Sequence, residues 1–310
     1  MATGNETQVR EFIFLGFFSL PNNPVVLFLA FLAAYLAIVT GNLMILVLVL
    51  VDSCLHSPMY FFLSHLSCLD ICISTVILPK ILVNFLRRRN TISYKQCLAQ
   101  TFFLIGFAGC EPALMAVMAY DRYAAICRPL HYSLLMSKRM CIYLASAAWV
   151  WGFLDSAIHA ALASQLSFCG VNEIPHIFCD VPPLLKIACS DTSVNELANH
   201  ITSLFVGLFP VLFILLSYVC ILASVLRIRS GSSRRKAFST CTSHVIVVIL
   251  CLGNGFLNYN RPSAGYSLEI DTLVSAMFCI VAPVLNPLIY SLRNKEVKGA
   301  FRKVLNKWTG

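Results

Sequence analysis

Three carboxylates, Asp70, Glu111 and Asp155, stand inside long apolar runs of this 310-residue chain. An ionisable group at such a place is costly and points to function by default. Asp70 and Glu111, with Asn286 on a later run, have the oxygens to hold a monovalent cation or to share a proton; the alternative is a structural hydrogen-bond network. Asp121-Arg122-Tyr123 closes the run that holds Glu111, where an arginine needs an anionic partner and its neighbour can supply one. In Asn286-Pro287 the proline removes a backbone hydrogen bond and bends its helix, and the asparagine can satisfy a freed polar group. Gly41-Asn42 adds further polar atoms. A zinc or carboxylate catalytic centre needs several ligands on facing elements; Asp70, Glu111 and His65 are too few. No catalytic residue, no enzyme and no metal centre are expected.

Cysteine supplies a second chemistry. Most of the 14 cysteines lie in the apolar runs, where a free thiol behaves as a small apolar group. Cys97, Cys169, Cys179 and Cys189 lie outside or at their edges. Four cysteines permit three disulfide connectivities, and zinc binding with His176 and Asp180 is the competing use. The sequon Asn5-Glu6-Thr7 marks Asn5 as a candidate glycosylation site.

Composition says which elements must position these groups. Apolar residues make up 58% of the chain and charged residues 12%, with a mean hydropathy of +0.78. So few charges cannot cover a water-facing surface. A soluble enzyme, a disordered chain and a coiled coil are thereby excluded, and an integral membrane protein is left. A run of about 20 apolar residues crosses a bilayer core as a helix. Seven such runs are present, at about 24–51, 57–79, 98–120, 140–163, 197–226, 237–259 and 272–292. The expected fold is an all-α, seven-helix membrane bundle, between a tail over 1–23 and a tail over 293–310.

Fifteen of the 23 Lys and Arg fall between these runs on one side, at Arg122–Arg139, Arg227–Lys236 and Arg293–Gly310. By the positive-inside rule that side is cytoplasmic and the N-terminus extracellular. Arg87-Arg88-Arg89 opposes the rule locally and reads as a solvated outer loop. The net charge of +9 is thus an orientation signal and not a nucleic-acid footprint. No cleavable signal peptide is expected. After the last run, Val297, Phe301, Val304 and Trp308 recur at helical spacing among Lys298, Arg302, Lys303 and Lys307, the pattern of an amphipathic helix on the inner membrane surface. No cysteine follows Cys279, so no palmitoyl anchor is expected there.

The runs carry long ordered motifs: Leu55-His56-Ser57-Pro58-Met59-Tyr60 continuing to Asp70; Met118-Ala119-Tyr120-Asp121-Arg122-Tyr123 with Pro129-Leu130-His131-Tyr132; Ser217-Tyr218; Lys236-Ala237-Phe238-Ser239-Thr240-Cys241 to His244; and Pro283-Val284-Leu285-Asn286-Pro287-Leu288-Ile289-Tyr290. On these the chain resembles a rhodopsin-like G-protein-coupled receptor, and more narrowly an olfactory receptor of the tetrapod class II group, over nearly its whole length. The resemblance implies a plasma-membrane odorant receptor that binds small organic ligands and activates a stimulatory heterotrimeric G protein. It implies bridges Cys97–Cys179 and Cys169–Cys189, and a Na+ site at Asp70 and Glu111, with no other cofactor. It also implies a G-protein-facing switch of Asp121, Arg122, Tyr123, Tyr218, His244, Asn286, Pro287 and Tyr290. Two places depart from the family pattern: Cys251-Leu252, where an aromatic pair is common, and Pro112 after Glu111, where cysteine is common.

Helical spacing then selects ligand-facing candidates on the outer halves of the runs: Leu104, Ile105, Ala108 and Gly109; Thr202, Ser203 and Val206; Gly255, Phe256 and Tyr259; Ala276 and Cys279. The competing use of such small residues is helix packing. No acid occurs between Leu98 and Cys110, so an aminergic anchor is missing there, and no lysine in 272–292 could form a retinal Schiff base. A mostly apolar ligand with one hydrogen-bonding group is expected, with Tyr259, Ser203 or Thr202 as its partner. A seven-span transporter or channel is the different-class alternative, but it would show internal repeats or broken polar helices, and none are visible.

Overall fold

A computed structural model describes residues 9–16, 23–170, 172–227, 242, 245–246, 248–249, 252, 268–293 and 295–309. Its long helices are α1 (Pro24–Val51), α2 (Pro58–Arg87), α3 (Tyr94–Cys127), α5 (Lys138–Ala163), α7 (Ser193–Leu226) and α8 (residues 268–293). The short helices α4 (Tyr132–Leu135) and α6 (Val181–Ile187) lie between them, and α9 (Lys295–Thr309) follows. Six helices among the described residues are long and apolar enough to cross a membrane. Most of the run 237–259 lies outside the described residues; within it Val248 is buried in the main core and Leu252 packs against that core.

The chain begins its helices where local chemistry directs. Pro24 and Pro58 occupy first-turn positions, where a missing N–H costs nothing. Asn23, Ser93 and Ser137 cap α1, α3 and α5 through side-chain oxygens that accept backbone N–H groups. Several helices outrun the apolar stretches. α2 continues through Pro79 to Arg87 and stops at Arg88, whose φ of 51° is left-handed. Arg87 is therefore the helix end, where the dipole favours a cation, and Arg88 and Arg89 follow in an exposed turn, solvated as expected. α3 continues past Asp121 to Cys127, so Asp121-Arg122 lies inside the helix.

α3 is the central helix. Its most extensive pairing is with α5, and it also packs on α2 and α7. The α3–α5 seam is built on glycine. A Cβ on Gly109 would lie 3.2 Å from the Gly152 Cα, and one on Gly152 would lie 2.5 Å from both Cys110 Sγ and the Gly106 carbonyl oxygen. The two backbones thus pack against each other, as small residues allow in a membrane bundle. At α1–α8, a Cβ on Gly41 would meet Pro287 at 3.2 Å. Outward faces are apolar: Leu29, Leu36, Leu50, Phe209, Leu216 and Val219 are all exposed, as lipid contact requires.

One end of the bundle carries a small sheet. β1 (Glu11–Phe14) runs antiparallel to β2 (Thr91–Ser93) and parallel to β3 (Glu173–Ile174). Phe12, Phe14, Ile92 and Ile174 pack under it with Cys97, Cys179 and Phe168. At the other end α9 turns its apolar face inward through Val297 and Ala300. Tyr60 Oη donates to Glu296 Oε2 at 2.7 Å, and Lys303 Nζ donates to Asp52 Oδ2 at 3.2 Å.

Candidate functional site

α3, α5, α6 and α7 line a partly open cavity of about 620 Å³, within the usual size of a small-molecule site, about 300–1,000 Å³. Ile105, Ala108 and Gly109 of α3 line it, with Thr202, Ser203 and Val206 of α7. The α7 wall is formed largely by Ser203–Leu208, a π-type stretch where the helix widens. Such stretches arise mostly as single-turn insertions and often mark functional places. Leu252 closes part of the wall.

Other expected ligand residues are placed elsewhere. Leu104 and Cys279 are buried in a neighbouring apolar cluster with Ile77 and Phe178, and Ala276 packs against it. They are helix-packing residues beside the cavity. Gly255, Phe256 and Tyr259 lie outside the described residues.

The cavity also holds polar groups that the sequence reading did not assign to it: Asp155, His159, Asp180, Asn199 and His200. Thr202 Oγ1 donates to Asp155 Oδ1 at 2.7 Å, and His159 Nε2 is 2.9 Å from the same hydroxyl. Thr202 therefore spends its proton inside the wall. The available signal was the spacing of Asp155 and His159, four residues apart and so on one helix face.

The roof is tied down covalently. Cys97 bonds Cys179 with a Cα–Cα distance of 5.4 Å, and Cys169 bonds Cys189 with one of 5.8 Å. With all four sulfurs in bridges, the zinc alternative has no thiolates. Gln100 holds the bridged segment from α3, its Oε1 accepting from the Cys179 N–H at 2.8 Å. His176 reaches α8, where Nε2 and Ser275 Oγ are 2.7 Å apart.

Glu111 lines the cavity floor and is within electrostatic reach of Asp70. Asn286 Nδ2 donates to both Asp70 oxygens, at 3.0 and 3.2 Å. Asn42 Nδ2 donates to the Pro283 carbonyl at 3.1 Å, where Pro287 one turn later frees backbone groups. These polar residues thus join α1, α2, α3 and α8 below the cavity.

Further toward α9, Asp121 is fully buried. Its Oδ2 accepts from Arg122 Nε at 3.0 Å and its Oδ1 from Tyr132 Oη at 2.8 Å. Burial, aided by the Asp121 charge, holds the Tyr132 phenol well above its ordinary pKa, so it stays a donor. Tyr123 and Tyr218 pack together with Ile221 and Val225 where α3 meets α7. His244 lies outside the described residues, and α8 places Tyr290 one turn beyond Asn286. Asn5 also lies outside the described residues.

Residues 30–307 match the family model described as "Olfactory receptor". The human protein named Olfactory receptor 5B12 is 45% identical over 303 residues, covering 98% of this chain and 96% of its own. The mouse Olfactory receptor 5G9 is 48% identical over 307 residues, covering 99% and 98%. The dog Olfactory receptor-like protein OLF1 is 47% identical over 302 residues, covering 97% of each.

Proposed function

This chain belongs to the olfactory receptor family of seven-span G-protein-coupled receptors, and we propose that it binds a small, mostly apolar organic odorant in the cavity between α3, α5 and α7 and activates a stimulatory G protein that raises cyclic AMP. The observation that carries the ligand half is the cavity itself: about 620 Å³, walled mainly by apolar side chains with a few convergent polar groups. Its contacts are Ile105, Ala108, Gly109, Thr202, Ser203 and Val206, which line the cavity; Gly255, Phe256 and Tyr259 are further candidates by sequence alone. Burial of apolar surface at about 25 cal/mol per Å² supplies most of the attraction.

The output half rests on Asp121, Arg122, Tyr123, Tyr218, His244, Asn286, Pro287 and Tyr290. A ligand shifts the bundle only by binding one arrangement better than another. Odorant draws the cavity walls together, the cytoplasmic end of the sixth span moves outward, and Arg122 is released to a G-protein helix. Asp70 and Glu111 supply an all-oxygen place for Na+ between cavity and switch, where a hard cation is at home. The receptor is a plasma-membrane protein with its N-terminus outside and its C-terminus in the cytoplasm. The Lys and Arg bias supports this, as does the clustering of both disulfides at the β1 end, since bridges persist in oxidising surroundings. Asn5 then carries a glycan.

The test is odorant-evoked cyclic AMP in cells at matched surface level. Arg122→Ala abolishes the response while ligand-induced thermal stabilisation remains; wild-type output from that variant would sink the coupling role.

A further inference from the structure

Most polar residues that line the cavity have already spent their hydrogen bonds. Thr202 donates to Asp155 Oδ1 at 2.7 Å and meets His159 Nε2 at 2.9 Å. Asp180 caps α6, its Oδ1 accepting from the Val181 N–H at 2.8 Å. His200 is an exposed residue, which water serves. Asn199 and Ser203 differ from all of these. Both line the cavity and both are half-buried, and the side chain of neither makes a hydrogen bond among the described residues. Neither holds a nitrogen or oxygen that is both sealed in and unpaired, so their polar atoms are open to contact.

A helical serine can return its proton to the carbonyl four residues back, as Ser217 of the same helix does to Phe213 at 2.9 Å. Ser203 stands where the π-type stretch of α7 begins and makes no such bond. Asn199 lies one turn before it. Residues four apart share a helix face, with Cβ atoms about 5–6 Å from each other. An amide offers N–H donors and a carbonyl acceptor, and a hydroxyl offers a donor and lone pairs. Both side chains can therefore donate to one oxygen of a ligand lying between them and the apolar α3 wall of Ile105 and Ala108. No Lys or Arg lines the cavity among the described residues. A carboxylate would be desolvated there without a counter-charge, at high cost.

We propose that Asn199 and Ser203 decide specificity in this cavity: together they hold one neutral ligand oxygen, so the receptor selects ketones, aldehydes and alcohols over hydrocarbons and carboxylates of the same skeleton. This rests on the odorant reading of the cavity. It assigns polar recognition to Asn199, and to Ser203 in preference to Thr202.

The experiment uses the full-length receptor in cells with a cyclic-AMP readout and measured surface level. Straight-chain, cyclic and aromatic skeletons are each presented as ketone, alcohol, hydrocarbon and carboxylate. With wild type, the ketone and alcohol of an active skeleton are expected to act at concentrations at least ten-fold below the hydrocarbon and the carboxylate. Ser203→Ala removes one neutral hydrogen bond and is expected to weaken both oxygenated ligands about three- to ten-fold. Asn199→Asp keeps the side-chain shape and its acceptors but loses the N–H donors. An alcohol can donate to it and a ketone cannot, so ketone potency is expected to fall at least ten-fold further than alcohol potency. A merely structural change in the wall would move both together. Where Asn199→Asp does not reach the surface, Ser203→Ala and the wild-type comparison decide. A hydrocarbon or carboxylate as potent as its ketone, unchanged potencies in Ser203→Ala, or an unchanged ratio of ketone to alcohol potency in Asn199→Asp overturns this inference and leaves the odorant reading standing. Silence toward the whole panel, with surface expression present, counts against both.

Discussion

Tyr132 and Arg122 share one carboxylate: the phenol oxygen of Tyr132 lies 2.8 Å from Asp121 Oδ1, while Arg122 Nε lies 3.0 Å from Oδ2. Asp121 is fully buried, so each donor satisfies an oxygen that water cannot reach. The short helix α4 is thereby fastened to the residue that restrains Arg122.

Tyr132→Phe leaves Asp121 Oδ1 without its donor, at a cost of about 1–3 kcal/mol for a buried group. That cost falls on the arrangement in which Arg122 is held. Basal cyclic AMP should rise several-fold at equal surface density. Basal output at or below the wild-type level would show that the bond does not restrain signalling.

Gly152→Val places new atoms where even a Cβ would sit 2.5 Å from Cys110 Sγ and the Gly106 carbonyl oxygen. Overpacking of this kind costs about 1–3 kcal/mol, and surface expression should fall sharply. Gly299→Ala is the control, since a Cβ there meets nothing within 4 Å and Gly299 lies within α9. It should match wild type or gain up to about 1 kcal/mol from helix propensity. Flow cytometry of a tagged receptor reads both.

Both disulfides stabilise by restricting the unfolded chain, but unequally. Cys97–Cys179 closes a separation of 82 residues and Cys169–Cys189 one of 20. Loop-closure entropy makes the longer bridge worth about 1 kcal/mol more. Removing Cys97 and Cys179 as a pair should lower the melting temperature of purified receptor further than removing Cys169 and Cys189. The reverse order would mean that native-state contacts, and not chain entropy, set their value.

Asp52 links α9 to the turn between α1 and α2. Its pKa is lowered, first by the Cys54 backbone N–H and then by Lys303, and that of Lys303 is raised by Asp52. A depressed carboxylate contributes stability above its unfolded pKa and loses it as pH falls through the folded value. A raised lysine contributes below its unfolded pKa and loses it as pH rises through the folded value. The link should therefore be constant from about pH 5 to 9, since both unfolded values lie outside that window. The difference in melting temperature between wild type and Asp52→Asn should be flat across it. A slope within it would place the pH response in another group.

Helix existence was legible because apolar run length is dictated by bilayer thickness, and α1 begins and ends where its run does, at Pro24 and Val51. Helix ends were less legible where a helix leaves the apolar layer: α3 runs on to Cys127 because polar residues continue a helix until a breaker, here Pro129, arrives. The sheet pairs Phe12 with Ile92 and Ile13 with Glu173, residues far apart in the chain, which no local pattern signals. In the cavity, spacing put Ile105, Ala108 and Gly109 on one face, which lines it, but could not tell a lining residue from a packed one such as Leu104. Asp155 stood out as an acid within an apolar run, but its place in the cavity beside His159 was not legible, because their common partner, Thr202, belongs to another helix.

The glycine seam makes α3 and α5 behave as a single stiff beam. With backbone against backbone at Gly109 and Gly152, there is no slack for either helix to slide toward the other. The beam forms one side of the cavity and α7 the other. On that other side the helix is not regular, since Ser203–Leu208 of α7 form a π-type stretch. The seam acts as an anvil: anything held in the cavity has a backbone-packed pair of helices on one side and the single helix α7 on the other.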